Sequence, residues 1–320
     1  METDRDHSPE TGVTYRMIPP CSPEQDRLLP LLGRCFPEAW GRRPVGSPFP
    51  YAGTSAVAEC GGRFVGHAAI QQIKIESGDG DAADIGGLAS VGVDPEFRRR
   101  GIAAHLCRMQ FDCFRERGFA FLALYTAKAP VYASVGWFPY ANPTAPWRLT
   151  AGRAEVPPAA AFTAPAAEFD AERQTEIRRL YGAGACFPGK CRRYEGEKVK
   201  HSWRAYFAHR DRRIVLAERG YAMVTANGIL EEFYAPAELR PALLAAALAT
   251  AGGSLSVAVP DCCLDPAEAA AVGFGVSSDG CLDPQEGEII MLRTFDDGRA
   301  PMLARAIAEH RLHLPAADKF

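Results

Sequence analysis

The stretch VGVDPEFRRRGIA at residues 91–103 contains the pattern that decides the fold. Alternating valines are typical of a strand, Asp94 and Pro95 indicate a turn, and Gly101 begins a segment with helical periodicity. The first amides of a helix have no partner within the helix, and the helix dipole adds partial positive charge there. Because three arginines (98–100) precede this helix start, the sequence predicts a site for a phosphate or pyrophosphate.

Two common nucleotide motifs are absent from this stretch. It has no Gly-Lys-Ser or Gly-Lys-Thr, so it is not a P-loop, and it has no G-x-G-x-x-G dinucleotide fingerprint. The alternative interpretation is a plain surface turn before a core helix, with the arginines on a solvated face.

The elements around this stretch predict a mixed α/β fold. Turn signals at Gly61-Gly62 and at 77–80 separate three predicted antiparallel strands. Apolar residues at spacings of four, three and four from Ile102 predict a helix, which Gly118 ends. The predicted elements are strands at 54–60, 63–76 and 81–93, a helix at 101–117, a strand at 119–125, a short helix at 130–135 and a strand at 137–149.

The second half of the chain repeats this order. An Ala- and Pro-rich stretch at 151–167 predicts an interdomain connection. After it come predicted hairpin strands between 213 and 234, a helix at 237–251, and then strand, helix and strand up to residue 295. The sequence therefore predicts a diverged duplication, with a disordered leader at 1–12, a first domain at 13–150 and a second domain at 168–320.

The deciding stretch resembles the acetyl-CoA pyrophosphate signature of the GNAT acyltransferases. Arg98, Gly101 and Ala103 form R-x-x-G-x-A after a strand that ends V-x-V-x-P. Tyr132 to Trp137 is similar to the Y-x-x-x-G-F element of that family, with Trp in place of Phe. The resemblance covers roughly residues 54–140 and implies a GNAT fold with acyl-CoA as co-substrate.

Residues 124–132 (LYTAKAPVY) resemble the enhanced-intracellular-survival (Eis) type of aminoglycoside acetyltransferase. That group carries two GNAT-like domains in tandem. The segment 180–189, with Arg193 and Trp203, resembles the start of its second domain. The resemblance implies a tandem GNAT fold with a degenerate second domain, and the sterol-carrier-like third domain of the group is expected to be absent or vestigial.

The resemblance also assigns roles to residues of the first domain. Tyr132 matches the general acid that protonates the leaving thiolate. The residues expected to bind acyl-CoA are Val91, Gly92, Val93, Arg98, Arg99, Arg100, Gly101, Ile102, Ala103, Ala104, Ala127 and Lys128. The second domain is expected to bind no CoA, because it lacks R-x-x-G-x-A and places Glu238 near the corresponding helix start.

The sequence does not identify the general base or the acceptor site. The candidate bases are the C-terminal carboxylate of Phe320, His201 and His209 of the second domain, and His67, Glu59, Glu76 and Asp84 of the first. Phe36 and Trp40, in the aromatic loop at 35–50, are the candidates for the wall of the acceptor site.

Composition excludes several other classes of protein. The formal net charge is −3, which gives no general attraction to nucleic acid or anionic membranes. No apolar run approaches the roughly 20 residues that span a bilayer, and the polar start is unlike a signal peptide. The ten cysteines are scattered without a CxxC pair, which favours free thiols in a reducing cytoplasm. No metal is expected, although Cys186, Cys191 and His201 form a weak candidate site.

The sequence therefore predicts a cytoplasmic N-acyltransferase. It would transfer an acetyl or longer acyl group from acyl-CoA to a primary amine of a small molecule, such as an aminoglycoside or amino-sugar natural product. The alternatives are a protein or peptide acetyltransferase and a non-catalytic acyl-CoA-binding sensor. The identity of the acceptor, the length of the acyl group and the oligomeric state are not indicated by the sequence.

Overall fold

Two mixed sheets with helices on their faces form the molecule. The computed structural model describes residues 6–8, 12–40, 53–78, 81–153, 156–193, 203–208, 211–260, 263–282, 287–295 and 300–314. In this part of the chain the strands are β1 (Asp6–Ser8), β2 (Val13–Ile18), β3 (Thr54–Cys60), β4 (Arg63–Glu76), β5 (Ala82–Val93), β6 (Phe121–Thr126), β7 (Phe138–Tyr140), β8 (Trp147–Thr150), β9 (Phe162–Pro165), β10 (Cys191–Arg192), β11 (Arg212–Ala217), β12 (Gly220–Thr225), β13 (Ile229–Tyr234), β14 (Ser254–Val257), β15 (Gly275–Ser277) and β16 (Ile289–Thr294). The helices are α1 (Leu29–Cys35), α2 (Pro37–Trp40), α3 (Ile102–Glu116), α4 (Ala129–Ala133), α5 (Ala171–Ala183), α6 (Trp203–Phe207), α7 (Arg240–Thr250), α8 (Pro266–Ala271) and α9 (Pro301–Ala308). None of these described helices is long and apolar enough to cross a membrane.

The local elements around the deciding stretch form as the sequence predicts. The three hairpin strands β3, β4 and β5 are confirmed. The helix α3 is confirmed as well, and it buries Ile102, Leu106 and Phe114 at the spacing of one helical face. The predicted leader at 1–12 is wrong in part, because β1 pairs with β2 as an antiparallel edge strand.

The first sheet has the strand order β1-β2-β3-β4-β5-β6-β16-β7, and β10 pairs with β4 outside this path. All its neighbours are antiparallel except β5 and β6, which run parallel. Parallel strands need a crossover connection, and α3 supplies it. This parallel pair lies in the interior of the sheet.

The second sheet has the order β15-β8-β14-β13-β12-β11-β9. It also contains one parallel pair, β13 and β14, which α7 connects. Reading each sheet outward from its parallel pair gives matching sequences of antiparallel neighbours. The predicted duplication and the tandem arrangement are therefore confirmed.

The two halves of the chain exchange strands: the first half gives β8 to the second sheet, and the second half gives β10 and β16 to the first. The strand β8 precedes the predicted connection but pairs with β14 and β15 of the second sheet. In return β16, near the other end of the chain, lies between β6 and β7 of the first sheet. The predicted single strand at 137–149 is therefore wrong, since it is two strands in different sheets. The predicted boundaries at 150 and 168 likewise do not separate the sheets, because β9 lies in the predicted connection. An apolar pattern predicts that a segment is buried, but not which sheet buries it.

Separate hydrophobic clusters cover the two faces of the first sheet. The α3 face buries Leu106 and Phe114 of the helix against Ile70 of β4 and Leu124 of β6. The opposite face carries one cluster under α1, which includes Leu32, and a second under α9 with Ile73, Ile75, Ile290 and Leu292. The parallel pair β5–β6 thus lies between a helix-covered face on one side and two smaller clusters on the other.

Candidate active site

A cleft of about 830 Å³ opens between β5 and β6. These strands pair only at Gly86 with Leu122 and at Gly87 with Ala123. Beyond these pairs the strands diverge, and the cleft is lined by 88–91 from β5 and by 125–128 at the end of β6. Diverging strands leave backbone groups that can hydrogen-bond to an extended ligand.

A β-bulge shapes the β5 wall of this cleft. Ser90 adopts a left-handed backbone conformation (φ +51°), and the β4–β5 register shifts between His67 and Ala69. The His67 ring lies between the Ser90 carbonyl oxygen, at 3.0 Å from Nδ1, and the Ser55 hydroxyl, at 3.1 Å from Nε2. Because a carbonyl can only accept, Nδ1 carries the proton and Nε2 accepts from the hydroxyl. Burial lowers the pKa of His67 to about 4, so the neutral ring holds the bulge in place.

The start of α3 is open for an anion. Gly101 is the N-cap residue with a left-handed backbone (φ +76°), and no side chain caps the helix. A Cβ atom added at Gly101 would meet nothing within 4 Å among the described residues. The next three residues, 102–104, line the cleft with their amides at the positive end of the helix dipole. These residues fit a pyrophosphate group.

The side chains of the three arginines before α3 make different contacts. Arg98 donates from Nε to the Val93 carbonyl at 3.1 Å. Arg100 donates to the Glu96 carbonyl at 3.0 Å and lies over the Phe97 ring, away from the cleft lining. Arg99 lines the cleft and makes no hydrogen bond or ion pair with the described residues. Arg99 is therefore the cation best placed to receive an anionic ligand.

Tyr132, on the short helix α4, also lines the cleft. Its ring packs edge-on against Trp137 with a centroid distance of 6.2 Å and joins the cluster on the α3 face. Burial, and then the charges of Cys107 and Glu288, raise the pKa of Tyr132 above its ordinary value. The phenol therefore stays protonated at neutral pH and is available as a proton donor.

The opposite side of the cleft contains two residues to which the sequence analysis gave no role, Tyr125 and Glu288, together with Phe36. Tyr125 ends the β6 wall, Glu288 directly precedes β16, and Phe36, the one expected acceptor-wall residue placed here, follows α1. The Tyr125 hydroxyl donates to the Leu314 carbonyl at 3.3 Å, which ties the segment after α9 to the cleft. Glu288 was missed because residues 289–295 were assigned to the second domain.

Of the twelve residues expected to bind acyl-CoA, ten line the cleft. Gly92 and Arg100 do not. Gly92 faces α1, since a Cβ atom there would lie 3.0 Å from the Cβ of Cys35 and the Cε2 of Phe36. The glycine at this position therefore permits close packing of α1 on the sheet. Its side-chain position does not contribute to the cleft.

The candidate bases of the first domain lie away from the cleft lining. His67 is committed to the bulge, while Glu59 pairs with Arg16, Glu76 with Arg192 and Asp84 with Lys74. His201, His209 and Phe320 fall outside the described residues, as does the side chain of Trp40. In the described part of the chain, no three His, Cys, Asp or Glu side chains form a group that could hold a metal ion.

The corresponding opening in the second sheet is almost closed. Between β13 and β14 the cavity measures about 50 Å³. The segment before β10 fills it, and Lys190 donates from Nζ to the carbonyls of Tyr181 at 2.9 Å and Gly184 at 3.2 Å. Beside it Arg193 pairs with Glu232, which also accepts from the hydroxyl groups of two buried tyrosines. At the start of α7 Glu238 pairs with Arg219 at 2.7 Å.

Comparison with known proteins agrees with this geometry. Residues 26–139 match the family model described as an acetyltransferase (GNAT) domain. This part of the chain is a GNAT acetyltransferase domain, which supports an acyl-CoA-dependent N-acyltransferase. No curated protein sequence matches the chain.

Several solved structures of other proteins have a similar fold over both sheets of this chain. A GCN5-related N-acetyltransferase from Kribbella flavida is 20% identical with a TM-score of 0.59, over 91% of this chain and 74% of that one. Eis1 from Mycobacterium abscessus is 18% identical with a TM-score of 0.59, over 88% and 73%. A probable N-acyltransferase from Enterococcus faecalis is 14% identical with a TM-score of 0.63, over 90% and 74%. The resemblance to the tandem GNAT type is thereby supported.

Proposed function

We propose that the chain transfers an acetyl or longer acyl group from acyl-CoA to a primary amine of a small molecule, such as an aminoglycoside or an amino-sugar natural product. The observation that carries this proposal is that one cleft has different chemistry on its two sides. The start of α3 and Tyr132 lie on one side, and aromatic rings with a carboxylate lie on the other.

The side of the cleft at α3 supports binding of the acyl donor. The helix amides at 102–104 and the cation Arg99 would hold the pyrophosphate. The diverging strands would hold the extended pantetheine arm, with backbone amides of β5 near the thioester carbonyl. Tyr132 would protonate the leaving thiolate, because it faces the same cleft and its raised pKa keeps the phenol protonated at neutral pH.

The opposite side supports a small cationic acceptor. Phe36 and Tyr125 offer ring faces, and Glu288 offers a negative charge. Aromatic rings with a carboxylate suit an ammonium group on a small organic body.

A thiol-release screen tests this function. The purified chain is mixed with acetyl-CoA or longer acyl-CoAs and with a panel of aminoglycosides, amino sugars and lysine peptides. We expect release of CoA thiol with at least one small amine and little with the peptides. Turnover with peptides alone would favour the protein acetyltransferase, and CoA binding without turnover on any amine would favour the sensor.

A further inference from the structure

The strand exchange brings a residue of the second half of the chain into the cleft of the first. Ile289 pairs with Thr126 and Ile290 with Tyr125 in the antiparallel β6–β16 ladder. Extending this register by one pair places Glu288 opposite Ala127, which also lines the cleft. Glu288 is the sole carboxylate among the described residues of the cleft lining.

Strand alternation places Glu288 and Tyr132 on opposite faces of the first sheet. Ile290 and Leu292 of β16 pack into the cluster under α9, whereas Met291 packs into the cluster under α3. Because side chains alternate along a strand, Glu288 continues the face of Ile290. Tyr132 packs into the cluster under α3.

Acyl transfer by direct attack needs a base for the amine and an acid for the leaving thiolate. The amine adds to one face of the planar thioester carbonyl, and the thiolate then leaves from the tetrahedral intermediate, so the two proton transfers occur at different atoms. Glu288 and Tyr132 flank the cleft and can each serve one of these atoms. The titratable groups that share the cleft lining with Glu288 are Arg98, Arg99, Tyr125, Lys128 and Tyr132. None of the other five is a carboxylate, so Glu288 is the described group of the cleft lining best suited to accept a proton from an ammonium group.

We propose that Glu288 is the general base that deprotonates the acceptor ammonium, directly or through one water molecule. This role rests on the acyl transfer proposed above. Glu288 takes one proton from the ammonium group, and the freed lone pair forms the C–N bond as the C–S bond breaks. Tyr132 gives its proton to the departing thiolate and regains one from the nitrogen as the amide forms. Glu288 then releases its proton to solvent, so each turnover yields one amide, one CoA thiol and one proton.

The test compares Glu288→Gln with the wild-type chain on two probe amines. An aminoglycoside carries ammonium groups at pH 7, whereas methoxyamine is already neutral. We expect Glu288→Gln to lower kcat for the aminoglycoside by about 100-fold or more, with recovery as the pH rises. The kcat for methoxyamine and the calorimetric affinity for CoA should stay within about twofold. Glu288→Asp should retain part of the activity, and Glu309→Gln, at an exposed carboxylate outside the cleft, should behave as wild type.

Each other outcome overturns the role of Glu288. A raised KM for the aminoglycoside with an unchanged kcat would make Glu288 a binding residue. An equal loss on both amines would point to a structural role, and a full kcat with loss in His201→Gln would assign the base to His201. If the wild-type chain acetylates neither amine while it binds CoA, the proposed acyl transfer to small amines fails, and the role of Glu288 fails with it.

Discussion

The two openings between parallel strands show how one topology gives two outcomes. Each opening lies between equivalent strands and is followed by an equivalent helix, yet the cavities measure about 830 Å³ and about 50 Å³. In the first sheet the helix start has glycine as its N-cap, and Arg99 beside it makes no hydrogen bond or ion pair with the described residues. In the second, Lys190 and its neighbours fill the gap, and Glu238 lies near the helix start. The fold creates an opening between the parallel strands of each sheet, and a few side chains determine whether a ligand can enter it.

Removing the proposed proton donor of the open cleft, Tyr132, should have the largest effect. We expect Tyr132→Phe to lower kcat by about 100- to 10,000-fold, because general acid catalysis is worth that much, with little change in CoA affinity. Steady-state kinetics and calorimetry measure the two quantities. Tyr140→Phe is the control, since that hydroxyl donates to the Leu312 carbonyl at 2.7 Å outside the cleft lining. A full kcat in Tyr132→Phe would mean that Tyr132 only packs.

Making the first helix start resemble the second should remove CoA binding. We expect Arg99→Glu with Gly101→Glu to weaken CoA binding by about 100- to 1000-fold, because like charges at the anion site cost several kcal/mol. Calorimetry with CoA measures the loss, and circular dichroism checks the fold. Gly118→Glu is the matched control, because Gly118 has φ +82° and open space at the other end of α3. Equal affinity in the double variant and the control would refute the anion site.

Acid should weaken the first sheet through the buried ring that supports its bulge. The pKa of His67 lies at about 4 in the folded chain against 6.5 for an ordinary histidine. The folded state therefore binds fewer protons, so stability is complete above pH 6.5 and falls by about 3 kcal/mol as the pH drops toward 4. The second sheet also has a register shift, between Met223 and Val224.

Denaturant unfolding at pH 7.5 and pH 4.5 measures this difference. His67→Gln should be less stable than wild type at pH 7.5 but should lose less stability on acidification. His313 is also buried with its pKa lowered to about 4, so part of the acid sensitivity remains in the variant. Identical losses in both proteins would show that His67 does not titrate with unfolding.

The smallest expected effect concerns the closed opening. We expect one CoA per chain by equilibrium dialysis, because a cavity of about 50 Å³ cannot admit the ligand. Glu238→Gln should change neither the stoichiometry nor the affinity, since filled space rather than this exposed carboxylate closes the opening. Two equivalent sites in the wild-type chain would contradict this explanation.

Local patterns were sufficient to predict the elements that line the proposed donor side of the cleft. The strand, turn and helix around Gly101 depend on neighbours within about ten residues, and Tyr132 follows a recognisable short motif. The proposed acceptor side depends on contacts distant in sequence. Glu288 reaches the cleft only because β16 crosses into the first sheet, and no periodicity in residues 289–294 indicates that destination. The sequence also could not predict that His67 supports a β-bulge, because a bulge depends on the register between two strands.

The strand exchange also constrains how the protein can be made. Since β16 lies between β6 and β7, a ribosome must synthesise the chain through residue 294 before the first sheet has all its strands, whereas the second sheet has all of its strands by residue 277. The N-terminal half then has to wait with the edge of β6 uncovered, which is a hazard for aggregation during translation. If the chain were divided near residue 150, the N-terminal fragment would lack β16 and contain β8 without its partner strands. The C-terminal fragment would lack β8 and contain β16 without its partner strands. We therefore expect neither half to fold stably without the other.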